Sequence, residues 1–332
     1  MIIDFLSRLL TQLQSPTLGF LIGGMLIAAT GSRLNIPDAI YKFIVFMLLM
    51  KIGLNGGMEI RQADLGDILL PALFSVLIGV VIVLAGTGLF SIIPGIKKED
   101  GIATAGLFGA VSASTLAVAL VALEESSIAY EAWVPALYPF MDIPALVLAI
   151  VLANLYLDKQ NSSGQRTTWQ KVVKESLQGS ALSALLLGLL LGLVTNPVGI
   201  YQGFYEPLFR GFLSILMLIM GIEAYSRMHE LRRVAHWYAV YAFFAPILHG
   251  LIGFGLGYIA HQVTGFSPGG IVLLAVLAAS NSDISGPPTL RGGIPSANPS
   301  AYIGASTSIG TPVAIVLCIP LFIALAEIVF PN

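Results

Sequence analysis

Long apolar segments separated by short polar connections occupy almost the entire chain. A run of about 20 apolar residues is long enough to cross the hydrocarbon core of a bilayer as a helix. The pattern predicts ten transmembrane spans, several of them short or interrupted by glycine and proline. These predicted spans cover residues 17–31, 38–57, 67–93, 101–122, 132–157, 177–196, 206–226, 234–261, 269–288 and 300–330. The expected fold is therefore an all-α polytopic membrane protein.

The amino-terminal stretch, residues 1–14, has a different pattern. Ile2, Phe5 and Leu9 recur at helical spacing, and Asp4 and Arg8 occupy the opposite side. This amphipathic spacing predicts a helix that lies in the membrane interface. The stretch lacks the continuous apolar region and the cleavage site of a signal peptide.

Composition supports the membrane assignment and excludes a soluble globular chain. The 332 residues are 56% hydrophobic and 10% charged, whereas soluble domains hold roughly 25% charged residues. The net charge of −2 gives no indication of a nucleic-acid partner. Cys318 is the one cysteine, so an intrachain disulfide is excluded and the residue is expected to pack inside the last span.

The distribution of basic residues predicts the orientation, because cytoplasmic loops collect Lys and Arg. Residues 158–174 form the one long polar connection and separate five predicted spans from the other five. Placing this linker in the cytoplasm puts most loop Lys and Arg residues on the same side, with Arg8 and Arg61 as clear exceptions. Both termini are then expected outside the cell.

Weak internal similarity relates the two sets of five spans. Residues 46–53 (FMLLMKIG) resemble residues 216–223 (LMLIMGIE), and residues 142–150 (DIPALVLAI) resemble residues 310–318 (GTPVAIVLC). The matches keep their order and share an offset of about 170 residues. Since five spans separate corresponding points, the two copies are predicted to be inverted repeats across the membrane plane.

The most informative stretch is Ala278 to Leu290, which reads AASNSDISGPPTL after an apolar run that begins near Gly269. A helix that enters the membrane at Gly269 would carry Asn281 roughly 18 Å deep. An ionisable side chain such as Asp283 at this depth indicates a functional site. The Gly-Pro-Pro sequence at 286–288 is expected to stop or kink the helix.

Three other spans carry polar residues at an equivalent depth. The internal repeat aligns residues 109–115 (GAVSAST) with residues 278–284. Ser112, Asp142 and Thr311 each lie roughly 15 to 16 Å from the start of their spans. Four spans therefore contribute to one polar layer near the middle of the membrane, as expected of a secondary transporter with broken helices.

The chemistry of this layer suits a small anion together with a hard cation. Free backbone N–H groups at half-helix N-termini favour an anion. Free carbonyls, hydroxyls and the carboxylates of Asp142 and Asp283 favour a cation. The layer contains no Lys or Arg, so an anion would leave about three uncompensated negative charges. Bound sodium or a proton is expected in the loaded state. A purely structural role of these polar groups is the alternative.

Three stretches carry a resemblance to a known family: FGAVSAST (108–115), LYPFMDIPALV (137–147) and the long run SDISGPPTLRGGIPSANPSAYIGAST (282–307). At these positions the chain closely resembles the cyanobacterial sodium-dependent bicarbonate transporters of the SbtA family. The resemblance covers essentially the whole chain, although the central linker is shorter than in some members.

The resemblance implies sodium/bicarbonate symport that feeds a carbon-concentrating mechanism from the plasma membrane of a photosynthetic bacterium. The protein is then expected to be a transporter and not an enzyme, with sodium as coupling ion and no other cofactor. The resemblance also implies a homotrimer in membrane lipid and a PII-like regulatory protein on the cytoplasmic face.

The same resemblance implies a gate made of spans 1, 2, 6 and 7 beside a core made of spans 3–5 and 8–10, with broken spans 4 and 9 crossing. Elevator-like movement of the core is a hypothesis, motivated by the confinement of the polar layer to spans 4, 5, 9 and 10. The corresponding division of the chain is 1–66 (gate), 67–157 (core), 158–174 (linker), 175–229 (gate) and 230–332 (core).

Two sets of site residues follow. The resemblance assigns bicarbonate binding to Ser112, Ala113, Ser114, Asp283, Ile284 and Ser285. The sodium candidates, chosen mainly for their chemistry, are Asp142, Asn281, Asp283, Ser306 and Thr311.

Three other functions are alternatives to bicarbonate symport. A sodium-coupled transporter of another small carboxylate would use the same half-helix pair, and an anion channel would conduct without sodium. A membrane-embedded hydrolase is disfavoured because Ser112 has no nearby His base.

Overall fold

The architecture is described from a computed structural model, in which the described residues are helical wherever they form regular structure. The described residues are 170, 174 and 178 together with the stretches 16–34, 36–160, 180–231 and 236–330. The interfacial helix predicted for residues 1–14 and most of the linker 158–174 lie outside them.

The helices are numbered in chain order. Their bounds are α1 Pro16–Ala29, α2 Asp38–Ile60, α3 Leu65–Ile92, α4 Lys98–Gly109, α5 Ala113–Glu125, α6 Tyr138–Gln160, α7 Ser180–Val194, α8 Glu206–Leu231, α9 His236–Thr264, α10 Pro268–Ala279, α11 Gly286–Gly293, α12 Pro299–Ala305 and α13 Ile319–Val329. Residues 306–318 continue from α12 to α13 through two π turns and are called the π segment.

The helices are long and apolar enough for a membrane protein. Within the described part of the chain, seven helical runs have the length and hydropathy needed to cross a bilayer. Three shorter apolar helices, which fall in α1, α7 and α10, accompany them. The prediction of an all-helical polytopic membrane protein is confirmed.

One detail of the sequence interpretation was wrong. The Gly-Pro-Pro sequence at 286–288 does not stop the preceding helix, which has already ended at Ala279. It forms the first turn of α11 instead. Proline suits the first turn of a helix because the N–H groups there have no partner within the helix.

Close glycine contacts hold one group of helices together. Helix α1 packs along α8, and α2 packs along both α7 and α8. A Cβ added to Gly53 would lie 2.9 Å from the Cα of Gly188, and one added to Gly57 would lie 2.9 Å from the Cα of Gly192. Such contacts let two membrane helices approach at backbone distance. Helices α1, α2, α7 and α8 are called the first helix group.

The remaining helices form the second helix group. Helix α3 packs against α4, α6 and α9, while α10 packs against α9, α13 and α5. Aromatic rings fill the space where α3, α4 and α9 meet: Tyr241 lies 4.7 Å from Phe90 and 5.1 Å from Phe108 between ring centroids. Helix α8 of the first group contacts α5, α12 and the π segment. The polar breaks lie inside the second group.

Candidate substrate and ion site

The first break separates α4 from α5. Helix α4 ends at Gly109, and Ala110 and Ser112 have extended backbone conformations. The Ser112 hydroxyl accepts a hydrogen bond from the Thr115 N–H at 3.1 Å and so caps α5. This cap satisfies one of the free N–H groups at the start of a helix. Ser112 is completely buried, so the half-helix begins inside the protein.

The second break separates α10 from α11 and has a similar construction. Helix α10 ends at Ala279, and the next helix begins at Gly286. The Ser282 hydroxyl accepts a hydrogen bond from the Gly286 N–H at 2.8 Å. Ser282 is also completely buried. In each break a serine hydroxyl therefore accepts a hydrogen bond from an N–H in the first turn of the following helix.

The two breaks are hydrogen-bonded directly to each other. The Ser282 N–H donates to the Leu107 carbonyl at 2.9 Å, and the Ser112 N–H donates to the Ser280 hydroxyl at 3.1 Å. These bonds satisfy backbone groups that the interrupted helices leave free, which a membrane interior requires. The starts of α5 and α11 are consequently brought into one buried region.

Asp283 faces the start of α5. The Ser114 hydroxyl donates a hydrogen bond to Oδ2 of Asp283, and it lies 2.9 Å from the Ser112 hydroxyl. The other carboxylate oxygen, Oδ1, is buried and has no hydrogen-bond partner in the described part of the chain. Leaving a buried charged oxygen without a partner is costly, so this atom is suited to contact a cation.

Asp142 on α6 connects both breaks. Its Oδ1 accepts a hydrogen bond from the Val111 N–H at 2.9 Å, and its Oδ2 accepts one from the Ser285 hydroxyl at 3.4 Å. Tyr138, one turn earlier on α6, donates to the Val111 carbonyl at 3.1 Å and lies 3.4 Å from the Ser285 hydroxyl. One face of α6 thus contacts the backbone of the first break and the Ser285 side chain of the second.

Asn281 gathers two hydroxyls from the π segment. Its Oδ1 accepts hydrogen bonds from Ser306 at 2.5 Å and from Thr311 at 2.8 Å. The Nδ2 atom of Asn281 is buried without a partner in the described residues. Gly310 leaves room for this amide, because a Cβ there would lie 2.8 Å from Nδ2 and 2.8 Å from the Phe108 ring.

The predicted site residues fall into three neighbouring clusters. Asn281, Ser306 and Thr311 share the first cluster, and Asp142 and Ser285 share the second. The third cluster contains Ser112, Ser114 and Asp283. Ala113 is the first residue of α5, and Ile284 lies in the second break. Asp142 and Asn281, both sodium candidates, therefore belong to different hydrogen-bonded clusters.

Sequence reasoning missed two side chains that the structure places at the breaks, Tyr138 and Ser280. Tyr138 precedes Asp142 by four residues, so helical spacing puts both on one face of α6. This signal was present in the sequence. Ser280 is the first residue of its break, but nothing in its spacing marks it as the acceptor for the Ser112 N–H.

The donor set is rich in oxygen and poor in the ligands that transition metals prefer. Among the described residues, no group of three or more His, Cys, Asp or Glu side chains could hold a metal ion. Hydroxyl, amide and carboxylate oxygens instead suit a hard cation. The arrangement can bind a small anion at helix N-termini beside a hard cation.

Comparison of the sequence with protein-family models identifies the family of the chain. The model of the Na⁺-dependent bicarbonate transporter superfamily matches residues 16–327. The chain belongs to this superfamily. The match includes both breaks, α6 and the π segment, so the resemblance seen in the sequence motifs is confirmed. Membership in the Na⁺-dependent bicarbonate transporter superfamily indicates sodium as the coupling ion and bicarbonate as the substrate. No match was found among curated proteins.

Proposed function

We propose that the protein is a sodium-dependent bicarbonate symporter that imports inorganic carbon for a carbon-concentrating mechanism. The observation that carries this proposal is the meeting of two interrupted helices, with Ser114 at the start of α5 donating to Asp283 of the opposite break. A small anion at a half-helix N-terminus and a cation beside a buried carboxylate neutralise each other there.

Bicarbonate is proposed to bind at the starts of the two half-helices. Its binding groups are those of Ser112, Ala113, Ser114, Asp283, Ile284 and Ser285. Ser114 has a central role, because its hydroxyl can turn from the Asp283 carboxylate to an incoming anion. The Asp283 carboxylate repels bicarbonate as long as its charge is uncompensated, so anion binding depends on a cation.

Sodium is proposed to bind beside Asn281 and Asp283. Asn281, Ser306 and Thr311 bring three oxygen atoms together, and Asp283 has a buried oxygen without a partner. Asp142 is included among the proposed sodium-binding residues because of its negative charge. Both of its oxygens accept hydrogen bonds, so its contact with the ion is less direct than that of Asp283.

The transport mechanism is proposed to be elevator-like. Ten spans would form two inverted repeats, with both termini outside the cell. The first helix group, α1, α2, α7 and α8, would be the gate, and the second helix group would be the moving core. The support is that all three oxygen clusters belong to the second group, whereas α8 contacts the π segment from outside it.

The proposed assembly is a homotrimer in the plasma membrane, with a PII-like regulatory protein on the cytoplasmic face. This part of the proposal rests on the resemblance of the chain to sodium-dependent bicarbonate transporters. Light scattering of the purified protein, coupled to size exclusion, measures the mass of the assembly. A monomer mass in mild detergent would contradict the trimer.

Uptake of labelled bicarbonate into proteoliposomes tests the proposed function. An inward sodium gradient is expected to drive accumulation, and replacing sodium by choline is expected to abolish it. Flux that persists in choline would indicate an anion channel. Acetate or pyruvate that competes with labelled bicarbonate as strongly as unlabelled bicarbonate does would indicate a transporter of other small carboxylates.

A further inference from the structure

A cluster of charged side chains joins the two helix groups. Arg210, near the start of α8, forms ion pairs with two residues of α5. Its Nη2 atom lies 3.3 Å from Oε2 of Glu124, and its Nη1 atom lies 3.1 Å from Oε1 of Glu125. Helix α8 belongs to the first helix group and α5 to the second. The ion pairs therefore cross the boundary between the proposed gate and the proposed core.

The positions of Glu124 and Glu125 show that this contact is not a local property of α5. They are the last two residues of that helix. The C-terminal end of a helix carries a partial negative charge, which disfavours acidic side chains there. Formation of α5 therefore gains nothing from the two glutamates. Their negative charges are compensated by Arg210 of the other helix group.

Helix α5 connects this contact to the breaks. Its first turn contains Ser114, which donates a hydrogen bond to Asp283, and its last turn contains Glu124 and Glu125. The half-helix that offers its N-terminus to the proposed anion is thus tied at its other end to α8. If the core moves relative to the gate, α5 shifts along α8 and both ion pairs must break.

The exposure of the ion pairs suits a contact that forms and breaks. In the proposed orientation, with both termini outside the cell, α5 ends and α8 begins on the outer side. The side chains of Arg210, Glu124 and Glu125 are 59%, 38% and 39% exposed. Ion pairs that water reaches are weak. Weak contacts allow two conformations to remain close in free energy, as alternating access requires.

We propose that the ion pairs of Arg210 with Glu124 and Glu125 hold the outer side of the transporter closed and release it when the core moves. The inference rests on the proposed transport function, because closure matters only if gate and core move against each other. Loss of the ion pairs favours the outward-open state. A larger population of that state raises the apparent affinity for external substrate.

Cysteine accessibility tests the closure without any transport. Ala122 is 6% exposed and lies on the same face of α5 as Glu125, three residues later. In A122C protein in lipid nanodiscs, R210Q is expected to speed the reaction with uncharged N-ethylmaleimide about threefold. E124Q/E125Q is expected to have the same effect, and R210Q/E124Q/E125Q is expected to add little to it. Protein without A122C gives the background reaction of buried Cys318.

The affinity for external bicarbonate provides the second readout. In intact cells that express the protein, R210Q is expected to lower the bicarbonate concentration for half-maximal uptake about threefold. A protein that is merely destabilised would lose uptake rate without this gain in affinity.

The matched control is Arg61→Gln. Arg61 also lies on the proposed outer side and donates a hydrogen bond to the Thr195 carbonyl at 3.0 Å. This contact joins the ends of α2 and α7, which both belong to the first helix group. R61Q is therefore expected to leave the labelling rate of A122C and the affinity for bicarbonate unchanged.

The outcomes separate this inference from the proposed function. Unchanged labelling, or a half-maximal bicarbonate concentration that does not fall, in folded R210Q protein would overturn the inference, as would equal effects of R61Q. Size exclusion and thermal unfolding verify the fold of each variant. If the unaltered protein takes up no bicarbonate with sodium, the proposed function fails. The labelling rates still decide whether the ion pairs close this side.

Discussion

The Ser282 N–H donates a hydrogen bond to the Leu107 carbonyl at 2.9 Å, so the backbone of one interrupted helix is bonded directly to the other. A carbonyl near the end of α4 and an N–H within the break after α10 satisfy each other. This contact places Asp283, the next residue, opposite the start of α5. The proposed binding chemistry depends on that position.

Asp283 is expected to be essential for coupling. Asp283→Asn keeps the shape of the side chain and its contact with Ser114 but removes one negative charge beside the proposed sodium position. Removing one partner of a buried charge pair costs about 3–5 kcal/mol. Sodium-driven bicarbonate uptake is therefore expected to fall by more than about 100-fold, measured in proteoliposomes with equal amounts of folded protein.

The matched control for this variant is Asp38→Asn, since Asp38 has a side chain 84% exposed at the start of α2. Its uptake is expected to equal that of the unchanged protein. Unaltered sodium dependence in Asp283→Asn would remove Asp283 from the coupling mechanism.

Thr311 is expected to affect sodium affinity more than stability. Thr311→Val keeps the shape of the side chain and removes the hydroxyl that bonds to Asn281. Loss of one oxygen is expected to raise the sodium concentration for half-maximal uptake about tenfold, equivalent to about 1.4 kcal/mol. Thr311→Ser keeps the hydroxyl and is expected to behave like the unchanged protein. Equal sodium dependence in the Val and Ser variants would exclude this role.

Gly310 is expected to tolerate no side chain. A Cβ at this position would overlap the Asn281 amide and the Phe108 ring, and overpacking of this kind costs about 1–3 kcal/mol. Gly310→Ala is therefore expected to lower the thermal unfolding temperature and the uptake rate. Gly255→Ala in α9 has open space around the added methyl group and should cause neither effect. A fully stable and active Gly310→Ala protein would show that the π segment relaxes easily.

Tyr138 is expected to position the breaks. Tyr138→Phe removes the hydroxyl that donates to the Val111 carbonyl and leaves a buried acceptor unpaired, at a cost of about 1–3 kcal/mol. Bicarbonate uptake is expected to decline while the dependence on sodium concentration keeps its shape. The control variant is Tyr225→Phe, because Tyr225 lies in α8, outside the three clusters. A large shift of sodium affinity in Tyr138→Phe alone would indicate a direct role at the ion.

Much of the arrangement follows from local patterns. The apolar runs predicted the helices, and the polar interruptions at 109–115 and 278–284 predicted the breaks, because hydropathy and helix-breaking residues act within a few turns. The number of residues from the start of each span predicted a common depth in the membrane for Ser112, Asn281 and Thr311. The prediction that Pro287 ends or kinks a helix was wrong, because the preceding helix had already ended at Ala279 and Pro287 lies in the first turn of the next one. The effect of a proline depends on whether a helix precedes it or follows it.

The amino-acid sequence alone determined that this is an all-helical membrane protein with polar, interrupted helices and a place in one superfamily. Only the tertiary structure decided which oxygens meet: Asn281 with Thr311, Asp142 with Val111 and Ser285, and Asp283 with Ser114. The reason is geometric. A pattern along one chain gives the depth of a side chain, but the rotation of each helix about its axis is set by packing against its neighbours.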